Sequence, residues 1–454
     1  MKLRKLLFLV LITSLMLNVT ACNTNKNKIE ETKSKNNLKI YYMDYDITTA
    51  TALNNFREKY KDVNVEDTCF RDEEEYKTRL ITDILSGEGP DVVIIRSKWF
   101  DSINKFASSG ALYDLNEFIK KDKEFKLSDY NEKVLNSFEQ DGKRFMIPLA
   151  YNLVVFTTSK EALARNNLKI DFSKWNYNDL LDLVRKYQEK NKDKKKYFFS
   201  DDFDISSLMK SSGLSFVDYK NRKSLFNTKD FIEILKIYKE IYPSICPEEV
   251  AENIPLDKQL KDDVYILKLD TKISPAPYAL SGDYSLYKSI GEEMEVCTLP
   301  VLNGNNTSKT SYSDQLIGIN SQSKNKDTAY NFIKTLMSKE SQITFKNINV
   351  LAGLPINKSA YKEDAEFCMS EEFGEGSGTI DSDSGPLEIK SVPFTKRLKT
   401  QVDNLISTVN ECKIEDNEIF NIVKETIPDF INGKKSAEQT AKEIDNKVDL
   451  YLNE

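Results

Sequence analysis

Apolar residues recur along this chain in two alternating rhythms. "LKIYYM" (38–43) is a short β-branched and aromatic run and predicts a strand. In the following "TTATALNNFREKY", Leu53, Phe56 and Tyr60 share one helical face. "VNVEDTCF" (63–70) alternates again as a strand would. "EEEYKTRLITDILSG" sets Tyr76, Leu80 and Ile84 four residues apart, a helix stopped by Gly87. "PDVVII" (90–95) is apolar throughout, as a strand buried on both faces should be, and the helix through "WFDSINKFASSG" ends at Gly110. Strand and helix in turn, three times over, predict a parallel sheet with helices on its faces. Such a sheet offers ligands the carboxyl ends of its strands, here Met43–Asp46 and Ile95–Trp99.

A second α/β region is predicted after "GKRFMIPLAYNLVVF" (142–156). Helices are expected at 178–188 (Leu180, Val184, Tyr187) and 230–242 (Phe231, Ile234, Leu235, Tyr238). "MEVCTLP" (294–300) and "DQLIGIN" (314–320) read as strands. In 328–338, Ala329, Phe332, Ile333, Leu336 and Met337 keep helical spacing. The last helix opens with the capping-box pair Ser436 and Gln439 and turns Ala437, Ala441, Ile444 and Val448 inward. No internal repeat is visible.

The N-terminus follows neither rhythm. Lys2, Arg4 and Lys5 precede an apolar run, Leu6 to Leu17, interrupted only by Thr13 and Ser14. A spanning helix needs about 20 apolar residues, so this run is short for one. With Ala21 at its boundary it has the pattern of an export signal. "VTAC" (19–22) resembles the bacterial lipobox, which implies cleavage after residue 21 and acylation of Cys22. A plain secretory signal with a chance cysteine, or an uncleaved anchor, is the alternative. Two or more acyl chains would make such anchoring stable. In 23–36 Ile29 is the only strongly apolar residue, so residues 22–37 are expected to be a lipidated cysteine with a flexible tether.

About 430 residues remain after such cleavage, enough for two or three lobes. Forty per cent apolar and 11% aromatic residues make a globular composition. The net charge is −7, and −10 once the three cations of residues 1–21 are gone, so nucleic acid and anionic lipid are poor partners. The chain has no histidine, which removes Ser-His and Cys-His nucleophile pairs and His-based zinc sites. Besides Cys22 it has Cys69, Cys246, Cys297, Cys368 and Cys412, an odd number without CxxC spacing. Buried, inert thiols are therefore expected rather than a disulfide framework or a metal site. "DSDSGPLE" (381–388) places its glycine one position early for a calcium loop and lacks the closing acid.

Taken in order, the segments resemble the extracellular solute-binding proteins, family 1, the receptors of bacterial ABC importers typified by maltose-binding protein. The resemblance covers most of 38–454. It is carried by "LNNFREKYKDVNVE", "ILSGEGPDVVII", "SSGALYDL", "GKRFMIPLAYN", "TTSKEAL" with "WNYNDLLDLVRKY", "LPVLNGN" with "GINSQSKNKDTAYNFIKTLMSKESQ", "GLPINKSAY" and "FINGKKSAEQTAKEIDNKV". Each motif is weak alone; their order and spacing are specific. One departure is that "SPAPYALSGDYSLY" (274–287) lacks the tryptophan the family often has there.

The resemblance implies a two-lobed α/β fold of the periplasmic-binding-protein type (type II). Its ligand cleft lies between lobes joined by hinge strands, with crossings near 147–152, 296–300 and 320–325. Lobe one would be 38–148 plus 300–321, and lobe two 149–299 plus 322–454. It also implies a non-enzymatic receptor at the outer face of the cell membrane. The receptor would be monomeric and without cofactor, and would pass a small solute, a sugar or oligosaccharide, to membrane permease subunits. A lipid-anchored enzyme using a carboxylate pair, and a receptor feeding a sensor kinase, are the other classes the residues leave open.

By position, the family's cleft would take Asp44, Tyr45 and Asp46 after the first strand, Arg96 and Trp99 after the third, and Asn152 at the crossover. Tyr151 is a further candidate that could equally face the core, as could Trp99. Asp201, Asp202 and Phe203 come from the segment that in the family carries an acid and an aromatic to the sugar. Tyr278 and Asp314 complete the expected set. For each residue of the first turn, a solvated loop is the competing reading.

Overall fold

The computed structural model describes residues 36–97, 100, 103–191, 195–270, 278–302, 309–344, 353–380 and 385–453. Cys22 and the export-signal pattern, Trp99, and the side chain of Tyr278 lie outside the described residues. The alternation of strand and helix from residue 38 onward is present. Strand Asn37–Met43 runs parallel to Asn64–Phe70, in register from Asn37↔Asn64 to Met43↔Phe70. It also pairs in parallel with Val92–Arg96 through Ile40↔Val92. Gln315–Ile319 joins antiparallel to Val92–Arg96, and Ile147–Pro148 closes the five-stranded order. The helix Glu73–Ser86 is bounded as its sequence dictates. The Asp72 side chain accepts from the Glu75 amide, and Gly87, at φ +80°, closes the last turn with its N–H on Asp83 and Ile84.

The second sheet is mixed: Met294–Thr298, Val155–Ser159, Tyr265–Asp270, Tyr197–Phe199 in spatial order. Val155–Ser159 is antiparallel to both neighbours, while Tyr265–Asp270 is parallel to Tyr197–Phe199. Two hydrophobic clusters form, and the second sheet contributes to both: its Val155, Tyr265, Met294 and Val296 lie in the cluster of the first sheet. Leu38, Ile40, Phe56, Val92, Ile94, Leu316 and Phe332 belong to the first. Phe156, Phe198, Phe199, Phe231 and Leu267 belong to the second, together with Val423, Ile444 and Val448. The last helix, Ala437–Asn453, is opened by the expected capping box: Gln439 N–H donates to Ser436 Oγ at 3.2 Å, and Ser436 N–H to Gln439 Oε1 at 2.9 Å.

Two stretches pass from one sheet to the other. One runs from Ile147–Pro148 in the first sheet to Val155–Ser159 in the second. The other runs from Met294–Thr298 through Lys309–Ser313 to Gln315–Ile319. The assignment of 322–454 to lobe two does not hold for its first part. Helix Lys326–Leu336 packs on Ile47–Lys59, with Phe332 edge-on to Phe56 at 5.5 Å, and Asn55 donates to Ser341. The apolar face of that helix is legible locally, but what covers it is set by contacts some 280 residues away. The chain returns later. Leu354–Pro355 pairs with Ala150–Tyr151, Val409–Ile414 runs parallel to Lys309–Ser313, and helix Asn417–Thr426 reaches the second core. Among the described residues no helix is long and apolar enough to cross a membrane.

Candidate functional site

In the first lobe the chain leaves strand Asn37–Met43 in a tight turn, closed by the Asp46 amide on the Met43 carbonyl at 2.9 Å. Asp46 is buried and caps the helix Ile47–Lys59. Its carboxylate accepts from the Thr49 amide at 3.1 Å and the Thr49 hydroxyl at 2.7 Å. Its place is thus structural, not the ligand contact expected, because an aspartate just before a helix is an N-cap first. Tyr45 is 41% exposed, and the Arg96 guanidinium stands 5.7 Å from its ring centre. That contact ties the first strand end to the third. Tyr76 lies beneath, its hydroxyl on the Ile94 carbonyl at 2.6 Å. Burial, and then the charge of Asp46, push that phenol far above its usual range. Asp44 is exposed, with Arg71 at 3.9 Å.

Asp314 joins this group through its backbone, its carbonyl accepting from the Ser97 amide at 2.9 Å. Beside it Gln315 pairs with Arg96 across the strands. Gln315 is fully buried, and among the described residues neither end of its side-chain amide finds a partner. A buried amide without partners costs about 1–3 kcal/mol, so this position is unusual. It was missed because "DQLIGIN" was read only as a strand.

At the hinge, Asn152 exchanges backbone hydrogen bonds with Tyr312, at 2.6 and 2.9 Å. Gly353 holds it from behind: at φ +146° a Cβ there would come within 2.7 Å of Asn152 Oδ1 and of the Tyr151 carbonyl. Tyr151 is buried, its hydroxyl accepting from Asn131 at 3.1 Å, and burial pushes its phenol up to about 12. The ring belongs to the core, on the opposite side of the strand from its neighbour.

In the second lobe the parallel strands Tyr197–Phe199 and Tyr265–Asp270 end side by side. The half-buried Asp201 and exposed Asp202 follow the first strand, and Asp270, 9% exposed, ends the second. Phe203 does not join them as a platform. It is 2% exposed, stacked on Phe199 at 4.3 Å and 11°, and 5.6 Å from Phe156. Asp204 then caps helix Ile205–Ser211 and pairs with Lys424 at 2.6 Å. Desolvation would raise that carboxyl, but Lys424 and its hydrogen bonds hold it below its ordinary value. Lys268 is held by Asp283 at 3.0 Å, and despite burial Asp283 and Asp270 raise its ammonium above the usual range. Asp270 was missed because "DVYILKLD" was not taken as a strand, although its apolar run is a signal for one.

The expected residues thus stand at three places: Asp44, Tyr45, Arg96 and Asp314 at the first sheet's edge, Asn152 at the hinge, and Asp201 and Asp202 at the second sheet's edge. The cysteines divide too. Among the described residues all five are free; four are buried, but Cys69 on strand Asn64–Phe70 is exposed, against expectation. Burial pushes the Cys246 and Cys412 thiols up to about 12.

Two α/β lobes, joined by strands that pass from one sheet to the other and bearing polar groups at their strand ends, make a two-lobed binding protein of the periplasmic type. The chain belongs to the bacterial extracellular solute-binding protein family, whose model matches residues 51–374. Solved structures share the fold at low identity. The sugar-binding protein MalE from Xanthomonas citri is 15% identical, with TM-score 0.67 over 92% of this chain and 97% of its own. An ABC substrate-binding protein from Listeria monocytogenes in complex with cycloalternan is 16% identical, with TM-score 0.60 over 92% and 99%. The GacH receptor of Streptomyces glaucescens, solved unliganded and with acarbose, is 17% identical, with TM-score 0.56 over 92% and 98%. No curated protein sequence matches.

Proposed function

We propose that this solute-binding protein is a lipid-anchored surface receptor. It captures a sugar or short oligosaccharide between its lobes and delivers it to the permease of an ABC importer. The observation that carries the reading is the chemistry of the strand ends: an exposed tyrosine beside Arg96 on one lobe, and the carboxylates of Asp201, Asp202 and Asp270 on the other. An exposed ring offers a sugar face a stacking surface, and carboxylates and amides accept and donate to hydroxyls. Proteins of the same fold named above are described with cycloalternan or acarbose, which supports the carbohydrate class. The "VTAC" pattern supports anchoring through Cys22. The lobes, read as 38–148 with 315–344 and 155–302 with 417–453, would close on the solute.

The test is a panel of mono- and oligosaccharides scanned by thermal shift and confirmed by calorimetry. A ligand at 100 times its Kd stabilises by about 2.7 kcal/mol, so a true ligand stands clear of the panel. A panel without any response, beside a response to amino acids or peptides, would reject the carbohydrate class. Cys22→Ser should release the processed protein from the membrane fraction, and continued retention at unchanged size would reject the anchor.

A further inference from the structure

A hollow, partly open to solvent, lies at the hinge. Its described wall takes nothing from residues 36–148. Three of its sides come from the stretches that pass between the sheets: Leu153 to Val155, Thr298 to Val301, and Lys309 to Tyr312. Leu405 and Thr408 close it from the end of helix Lys396–Ser407.

Two lysines reach this wall, and they differ. Lys210 is matched: it pairs with Glu415, and its ammonium lies 5.5 Å from the Tyr312 ring centre and 5.0 Å from that of Phe420. Lys309 donates only to the Leu299 carbonyl, at 3.2 Å, and no ion pair among the described residues includes it. The nearest acid on the paired strand, Glu411, is taken by Thr310 at 3.3 Å and by Lys413 at 3.5 Å. The preceding stretch 303–308, "NGNNTS", contains no acid. Burial pushes the Lys309 ammonium down to about 8, with no carboxylate opposing it. An ammonium has three donors, and a partly buried cation such as Lys309 gains from a partner of opposite charge. Here one donor is met by a carbonyl; Leu153, Val155, Leu299, Val301 and Leu405 make the apolar part of the wall, and Thr298, Thr310 and Thr408 add hydroxyls to it.

We infer that this hollow is a second binding site, for a compact organic monoanion whose carboxylate pairs with Lys309 and whose few-carbon body lies against the apolar wall. One unmatched cation selects one negative charge. A dianionic phosphate would bring more charge than Lys309 neutralises, and a neutral molecule would leave Lys309 unmatched. Because the wall is built from the crossing stretches, an occupant fits one lobe angle better than another. On the reading that the lobes close on solute, its affinity and that of the solute are then coupled, reciprocally.

The probe is butyrate, with butyramide as its uncharged isostere, on the purified full chain. Trinitrobenzenesulfonate labelling at about pH 8, mapped by peptide mass, follows the exposure of the Lys309 amine. Butyrate at roughly 10 mM, a concentration suited to a millimolar contact, should slow Lys309 labelling about fivefold and raise the melting temperature. Butyramide should do neither. Lys309→Met should lose the butyrate stabilisation and Lys309→Arg should keep it. Equal protection by butyrate and butyramide, no protection in the wild-type chain, or an undiminished butyrate response in Lys309→Met would each overturn the proposal. If Lys309→Met does not fold, labelling of the wild-type chain still decides. The saccharide panel on the same preparation reads the solute cleft separately. Protection of Lys309 without any saccharide response would sink the carbohydrate reading and leave this site standing, and the reverse would do the opposite.

Discussion

Phe203→Ala separates a core ring from a ligand platform. The ring is 2% exposed, stacked 4.3 Å from Phe199 and 5.6 Å from Phe156, and Phe199 in turn packs on Phe198 at 5.0 Å. Sheet strands hold these neighbours, so they cannot collapse into the space the ring leaves. A phenylalanine removed from such a place costs about 3–5 kcal/mol. Net stabilities run about 5–15 kcal/mol, so the loss is a large fraction of the whole. At roughly 2–4 °C per kcal/mol, the melting temperature of the ligand-free chain falls by about 6–20 °C. Urea titration and scanning calorimetry of the apo protein measure this, and calorimetric titration with the solute found by the panel measures binding at a temperature where the variant is folded. The expected result is a much lower urea midpoint with affinity within about threefold of wild type, under 1 kcal/mol. An unchanged midpoint with a tenfold or greater loss of affinity would refute the packing argument and return the ring to the cleft.

Tyr45→Ala removes an exposed ring. Apo stability should stay within about 0.5 kcal/mol, while solute affinity falls about tenfold by titration calorimetry; wild-type affinity would take Tyr45 out of the site. Gly353→Ala forces a Cβ against Asn152 Oδ1 and the Tyr151 carbonyl at φ +146°, so stability should drop by about 1–3 kcal/mol in urea, and a neutral outcome would show the hinge can shift there at no cost. The Lys309 ammonium is held near 8 in the folded chain against 10.5 unfolded, so between those values the unfolded chain binds more protons and stability rises with pH. Lys309→Met should lack that increment between about pH 8 and 10.5 when both proteins are melted in parallel; identical pH profiles would contradict the burial of Lys309.

What could be read from the chain was local. Tyr76, Leu80 and Ile84 face inward, and Gly87 takes the left-handed cap it was assigned. Val92 to Ile95 are buried on both faces. Ser436 and Gln439 make their reciprocal bonds. Periodicity and capping depend on neighbours within a turn, so they survive without knowledge of the fold. The place of residues 326–342 does not, because an apolar helix face does not say which sheet it covers. The site residues failed in the same way. Asp201, Asp202 and Phe203 are consecutive, yet a strand end turns the carboxylates outward and the ring into the core. Tyr151 and Asn152 part to opposite sides for the reason that strand side chains alternate. Asp46 was the exception that local reasoning could have found, since it stands one residue before a helix whose third residue is a threonine able to donate to it.

The second core is assembled from distant stretches. Phe156 and Leu267 share it with Val423, Ile444 and Val448, and Ser224 is tied to Asp445 and Asp449 of the last helix. Synthesis runs from the N-terminus, so the strands of the first sheet, complete by Ile319, are all available while the second core still lacks its C-terminal helices, Asn417–Thr426 and Ala437–Asn453. The entropy of closing so long a loop grows only with the logarithm of its length, so the cost is in waiting rather than in final stability. During that wait the side of helix Lys229–Ile241 that the last helix covers has no lid, and it is the stretch where a holdase or a translocating channel has most to protect. A nascent chain halted before the 17 residues of Ala437–Asn453 emerge would hold a finished first sheet beside a second one still open to aggregation.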